Sequence, residues 1–148
     1  MFKHLSATEK AYIAGFLDGD GSIYVRAKPN STYRYGFQIA PYVVFFQSAK
    51  DHKNFEQVYS LINCGKIRER KDGIIEYIIN KIDNIKNFLV SVKPYVRLKK
   101  EQLELMIEIL RVKENVKNSD DFSQLLKLID RYRELNYSKK RIKRILTP

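Results

Sequence analysis

Ala7, Ala11, Gly15 and Gly19 recur every four residues through a largely apolar stretch near the start of the chain. On a helix that spacing puts all four on one face. Ser6, followed three residues later by Glu9, has the form of a capping box, so the helix is expected to begin near Ala7. Ala14 and Asp18 flank the stripe, also four apart. A helix face carrying nothing larger than a methyl group lets a second backbone come close. Glycine inside a helix costs up to about 1 kcal/mol relative to alanine, so two on one stripe imply that the close approach is used. The stretch then delivers two carboxylates, Asp18 and Asp20, and enters a strand at Gly21.

Asp18-Gly19-Asp20-Gly21 has a partial likeness to a calcium loop. That assignment fails, because the sixth loop position is Ile23 rather than glycine and the twelfth is Pro29 rather than glutamate. The 148 residues suit one domain, with a core of about 5–112 and a helical part of about 119–146. Hydrophobic residues make up 44% of the chain, which argues against disorder. No apolar run is long enough to span a bilayer, so no membrane role is expected. A lone cysteine, Cys64, is expected to be a half-buried small hydrophobe in an intracellular protein. His4 and His52 stand far apart, and no Cys/His cluster exists for zinc. The net charge of +11 favours a polyanion, nucleic acid before membrane.

After the first helix, Ser22 to Lys28 alternates: Ile23, Val25 and Ala27 face one way, Tyr24, Arg26 and Lys28 the other. Pro29-Asn30-Ser31 breaks this strand. A second strand is expected from about Tyr33 to Gln47, with Pro41 marking an edge or a bulge. Ser48 and Asp51 open a helix to about Ile62, and Gly65 opens a strand with Lys66, Arg68 and Arg70 on one face. Asp72-Gly73 is a hairpin turn, and Ile74–Ile79 is the fourth strand. A helix follows from about Lys81 to Val92, stopped by Pro94. The next runs from Glu101 to Val112 with Leu103, Met106, Ile107 and Leu110 inward. Ser119 is expected to cap another to about Leu135, and Ser138 to cap a last basic one. Lys139, Lys140 and Arg141 would crowd its positive end, an arrangement that a phosphate would relieve.

Helices on one side of a four-stranded antiparallel sheet would leave the other side open, carrying Tyr24, Arg26, Lys28, Gln38, Arg68 and Arg70. A twisted antiparallel ribbon fits a DNA major groove, where Arg and Lys read guanine and Gln reads adenine.

Ile13-Ala14-Gly15-Phe16-Leu17-Asp18-Gly19-Asp20-Gly21 resembles the LAGLIDADG motif of homing endonucleases. Ala14, Gly15, Asp18, Asp20 and Gly21 match it, and the other four residues are conservative replacements. The resemblance covers about the first 110 residues. It implies an α+β fold, αββαββα, with a saddle-shaped antiparallel sheet. One copy of the motif implies a homodimer whose motif helices pack together through Ala11, Gly15, Asp18 and Gly19. It implies that Asp20, with the Gly19 carbonyl, holds Mg2+ or another divalent cation. Gln47 matches the glutamine that orients active-site water, and Lys99 the lysine near the scissile phosphate. Where the family often has an arginine four residues after the glutamine, this chain has Asp51, with Lys50 and Lys53 beside it.

The same resemblance makes Tyr24, Arg26, Lys28, Asn30, Gln38, Arg68, Arg70 and Glu76 groove-facing candidates, Glu76 as an acceptor from cytosine. Lys139 and Lys140 become phosphate contacts, which set position rather than sequence. The implied activity is cleavage of both strands of a long, near-palindromic DNA site by metal-assisted hydrolysis. An intron RNA maturase, or a DNA-binding regulator that no longer cuts, would keep the same fold.

Overall fold

The computed structural model describes residues 2 and 4–145, with the backbone alone for 136–145. The chain runs α1 (Ala7–Asp20), β1 (Gly21–Pro29), β2 (Phe37–Ser48), α2 (His52–Ile62), β3 (Lys66–Glu69), β4 (Ile74–Ile79), α3 (Ile82–Val92), α4 (Lys100–Glu114) and α5 (Ser119–Ile145). The expected capping box is formed: Ser6 Oγ accepts from Glu9 N at 3.1 Å, and Glu9 Oε1 accepts from Ser6 N at 2.9 Å.

The four strands form an antiparallel sheet in the order β1-β2-β4-β3. Its inner face presents Ile23, Val25, Val43, Phe45, Ile75 and Ile79 to Ile13 and Leu17 of α1 and to Ile85, Phe88 and Leu89 of α3. Phe88 is the hinge of that packing, meeting Phe2 and Phe45 edge to face at 5.8 and 5.9 Å. Leu103, Met106, Ile109 and Leu110 extend the core from α4. α5 covers the free edge of β1, where the Tyr132 hydroxyl donates to the Ile23 carbonyl. An edge strand is thereby closed against pairing with another chain. At the far side, the Tyr77 hydroxyl accepts from Cys64 N at 2.9 Å and Gly65 N at 2.6 Å, pinning the turn into β3. Burial pushes the half-buried Cys64 thiol up to about 11, in keeping with an inert packing residue.

Four expectations change, and of the two alternatives at Pro41 the edge is the one found. β2 begins at Phe37 rather than Tyr33, because Asn30 N donates to Gly36 O at 2.8 Å and closes a loop over 30–36. Gly36, at φ +82°, supplies the left-handed residue this loop needs. Pro41 makes no bulge: it stands opposite Val25 in unbroken register, and β4 pairs only with Val43–Ser48, so this part of β2 is an edge. In α4 the buried position is Ile109, while Ile107 is only partly covered, because α5 packs on a face rotated from the expected stripe. Asn118, not Ser119, caps α5, its Oδ1 accepting from Asp121 N at 2.8 Å. Finally, α5 continues to Ile145 instead of stopping near Leu135 and restarting at Ser138. Nothing between them is Gly or Pro, so no residue ends the helix. The basic cluster therefore lies toward a negative helix end, and the expected conflict with the dipole disappears.

Gly21 terminates α1 in tight space, since a Cβ there would lie 2.7 Å from Leu17 Cδ1 and 2.9 Å from Leu17 O. Gly21→Ala is expected to cost about 1–3 kcal/mol in chemical denaturation; an unchanged midpoint would show that the close contact is not required.

Candidate functional site

The small-residue stripe of α1 faces outward. Ala7, Ala11, Gly15 and Gly19 are all exposed, while Ile13, Ala14 and Leu17 are buried beneath the helix. A Cβ added at Gly15 or Gly19 would meet nothing within 4 Å. No packing among the described residues therefore requires glycine at either position. Tyr12, 58% exposed, lies on the same side of the helix.

At the end of this helix the predicted site residues converge. Asp18 turns inward: its Oδ2 accepts from Arg97 N at 2.8 Å and its Oδ1 from Lys99 N at 3.1 Å. The Asp18 carbonyl accepts from Lys99 Nζ at 2.9 Å. One residue thus ties the link before α4 to the last turn of α1 and sets an ammonium there. Leu98, between the two bonded amides, is 80% exposed. Asp20 is exposed, and its carboxylate has no hydrogen bond or ion pair among the described residues. The last turn of α1 holds no basic side chain, so its free carbonyls and Asp20 make a negative end. Gln47 is brought in by strand register: Gly21 pairs with Phe45, which leaves Gln47 two residues further along on the Asp20 side. Its Oε1 accepts from Ser48 N at 2.9 Å.

Among the described residues, no three His, Cys, Asp or Glu side chains come together to hold a metal ion. The available donors are hard oxygens, the Asp20 carboxylate and the helix-end carbonyls, which suit Mg2+ or Ca2+ but make only part of a coordination shell.

The outer face of the sheet carries the candidate readers in order. Strand register places Tyr24 beside Tyr42, Arg26 beside Ala40, and Lys28 beside Gln38. Arg68 lies beside Glu76. Tyr24 and Tyr42 stack at 4.8 Å, the Arg26 guanidinium lies 5.7 Å from the Tyr24 ring, and Lys28 Nζ donates to Tyr42 Oη at 2.8 Å. Arg26 and Lys28 are thus held by aromatic neighbours rather than by acids. Arg68 pairs with Glu76 at 3.3 Å, and Arg70, just beyond β3, with Asp72 at 2.6 Å. Asn30 turns its Oδ1 to Thr32 N and Oγ1, at 3.0 and 2.6 Å, so it shapes the hairpin loop. The side chains of Lys139 and Lys140 lie outside the described residues. Tyr42 falls on the open face by its alternation, yet its part in holding Lys28 rests on a tertiary contact that no sequence period reveals.

Residues 13–110 match the family described as LAGLIDADG endonuclease. The chain belongs to this family. It is 32% identical to the DNA endonuclease I-CreI of Chlamydomonas reinhardtii over 131 residues, covering 88% of this chain and 80% of that one. It is 28% identical to I-CvuI of Chlorella vulgaris over 131 residues, 88% and 81% of the two chains. A crystal structure of I-CvuI, in complex with the I-CreI target in Mg with the DNA not cleaved, superposes with a TM-score of 0.78 at 26% identity, covering 84% of this chain and 80% of that one. Another holds I-CvuI with its own target in Ca. The homing endonuclease I-TnaI shares the fold, with a TM-score of 0.74 at 20% identity over 90% of this chain and 97% of that one. The α+β architecture is therefore that of LAGLIDADG enzymes, with the motif on α1.

Asp18→Asn would turn an amide toward one of two backbone N–H groups. It should lower stability by about 1–3 kcal/mol in urea denaturation, and a variant as stable as the parent would show that the clamp contributes nothing.

Proposed function

We propose that this chain is a homodimeric, divalent-metal-dependent endonuclease that cuts both strands of a specific, near-palindromic DNA site. The carrying observation is the last turn of α1. It offers an unpartnered carboxylate beside an anchored lysine, on a helix whose outer face is bare. The described residues of one chain supply too few ligands for a cation. A two-fold axis through the Ala11–Gly15–Gly19 face would bring a second Asp20 to the first. Such an interface is isologous, and it would cover Tyr12 and Leu98 as well.

Two carboxylates about 5 Å apart repel by roughly 3 kcal/mol at an effective dielectric of 20. A cation between them removes that cost, so the pair favours one. Asp20 and the Gly19 carbonyl of each copy would hold Mg2+, which when bound activates water and stabilises the leaving oxygen. Lys99 offers positive charge to the phosphate under attack. Gln47 orients water from the strand end. The sheet's outer face supplies contacts to base edges through Arg26, Lys28, Gln38 and Arg68. The +11 charge supplies the affinity for phosphates. The relatives solved with DNA in Mg and in Ca support both the duplex and the class of metal.

Target duplex obtained by selection from a random library tests this. With magnesium, Asp20→Asn is expected to bind the site but cut it at least about a hundredfold more slowly; cleavage at the parent rate would remove Asp20 from the mechanism. Affinity should fall steeply with salt, with a log–log slope steeper than about −3. A flatter dependence would contradict a phosphate-rich interface.

A further inference from the structure

The open face of the sheet has two chemically different zones. The zone reached by the outer half of the first hairpin carries hydrogen-bonding side chains, Arg26, Lys28 and Gln38. In the zone nearest Asp20 the central strands, β2 and β4, present mostly apolar side chains, and the cations stand at the β3 edge. The first open-face row beyond Gly21 is Ser22–Val44–Ile78–Lys66, and on the other side of Gly21 comes Phe46 beside Glu76 and Arg68. Val44 is sealed to 1% exposure by its neighbours, and Phe46 and Ile78 are half-buried with no polar side-chain atom to offer. Glu76, with a side chain only 14% exposed, is already paired to Arg68. The register continues to Ile74 in the next row. On the β3 edge of these rows stand Lys66, exposed beside Ile78, and Arg68, beside Glu76; the other polar side chains, Ser22 and Ser48, are small and half-buried.

In a major groove the base edges carry donors, acceptors and one apolar group, the C5 methyl of thymine. A polar base edge pressed against Phe46 and Ile78 would lose water and gain no partner. A methyl group gains from that contact.

We infer that the apolar zone of Phe46 and Ile78 selects thymine, through its 5-methyl group, at the base pairs flanking the cleavage centre. This rests on the reading that the open sheet face enters the major groove. Specificity near the cut is then shared between methyl contacts over β2 and β4 and the cations of the β3 edge, while Arg26, Lys28 and Gln38 read by hydrogen bonds farther out.

The test starts from the target defined by library selection. Each thymine is replaced singly by deoxyuridine, which keeps base pairing and loses only the methyl. Loss of one buried methyl should weaken binding about fourfold at positions near the cut, and outer thymines should be insensitive. Phe46→Gln, checked for native folding by circular dichroism, should lose the thymine–deoxyuridine discrimination nearest Asp20. Gln38→Ala should retain it. A target without thymine near the cut, or uniform insensitivity to deoxyuridine, would overturn the inference. The same duplexes still being bound and cut would then leave the endonuclease reading intact. Failure of the parent protein to prefer any duplex would instead strike that reading.

Discussion

Asp18 accepts hydrogen bonds from the amides of Arg97 and Lys99, residues that lie 79 and 81 positions away in the chain. That pair of bonds, with the return contact from Lys99 Nζ to the Asp18 carbonyl, joins the motif helix to the link before α4. Without it, the end of α1 would hold an acid without a nearby cation, and Lys99 would sit on an unanchored turn. In the proposed reaction a carboxylate and an ammonium would act on one phosphate, which requires a fixed relation between them. This chain fixes that relation with backbone donors, leaving Asp20 uncommitted. The two acids of the motif are therefore placed differently: Asp18 accepts from backbone amides, and Asp20 is left without a partner among the described residues.

The bare face of α1 has no explanation in packing among the described residues. A Cβ added at Gly15 or Gly19 would meet nothing within 4 Å, although each glycine lowers helix stability. Gly21 is different, because Leu17 leaves no space for a side chain there. The motif thus mixes one glycine required by the chain's own packing with two that are not. Together with an acid that lacks fellow ligands among the described residues, this is what the proposed pairing would complete.

Much of this was legible in the residues. The capping box, the alternation of Ser22–Lys28 and the Asp72-Gly73 turn are local signals, and each element forms where those signals lie. The nine-residue motif located Asp20, and parity put Tyr24, Arg26, Lys28 and Gln38 on one face. What escaped was set by tertiary contact. The start of β2 depends on a loop closed between Asn30 and Gly36. The buried side of α4 depends on where α5 packs. Arg68, Arg70 and Asn30 read as free donors or acceptors in sequence, yet each is engaged by a neighbour. Tyr42 and Phe46 looked like ordinary strand residues until a side-chain hydrogen bond joined Tyr42 to Lys28 and register placed Phe46 near Asp20.

Pairing through α1 is the claim on which the nuclease centre depends, and cross-linking tests it directly. In a Cys64→Ser background, Ala11→Cys puts a thiol on the bare helix face, and Val90→Cys puts one on the exposed side of α3, where Val90 is 55% exposed. With a short bis-maleimide, Ala11→Cys is predicted to yield covalent dimers efficiently and Val90→Cys almost none. Dimers through Val90 with monomers at Ala11, or no dimers from either, would contradict the account.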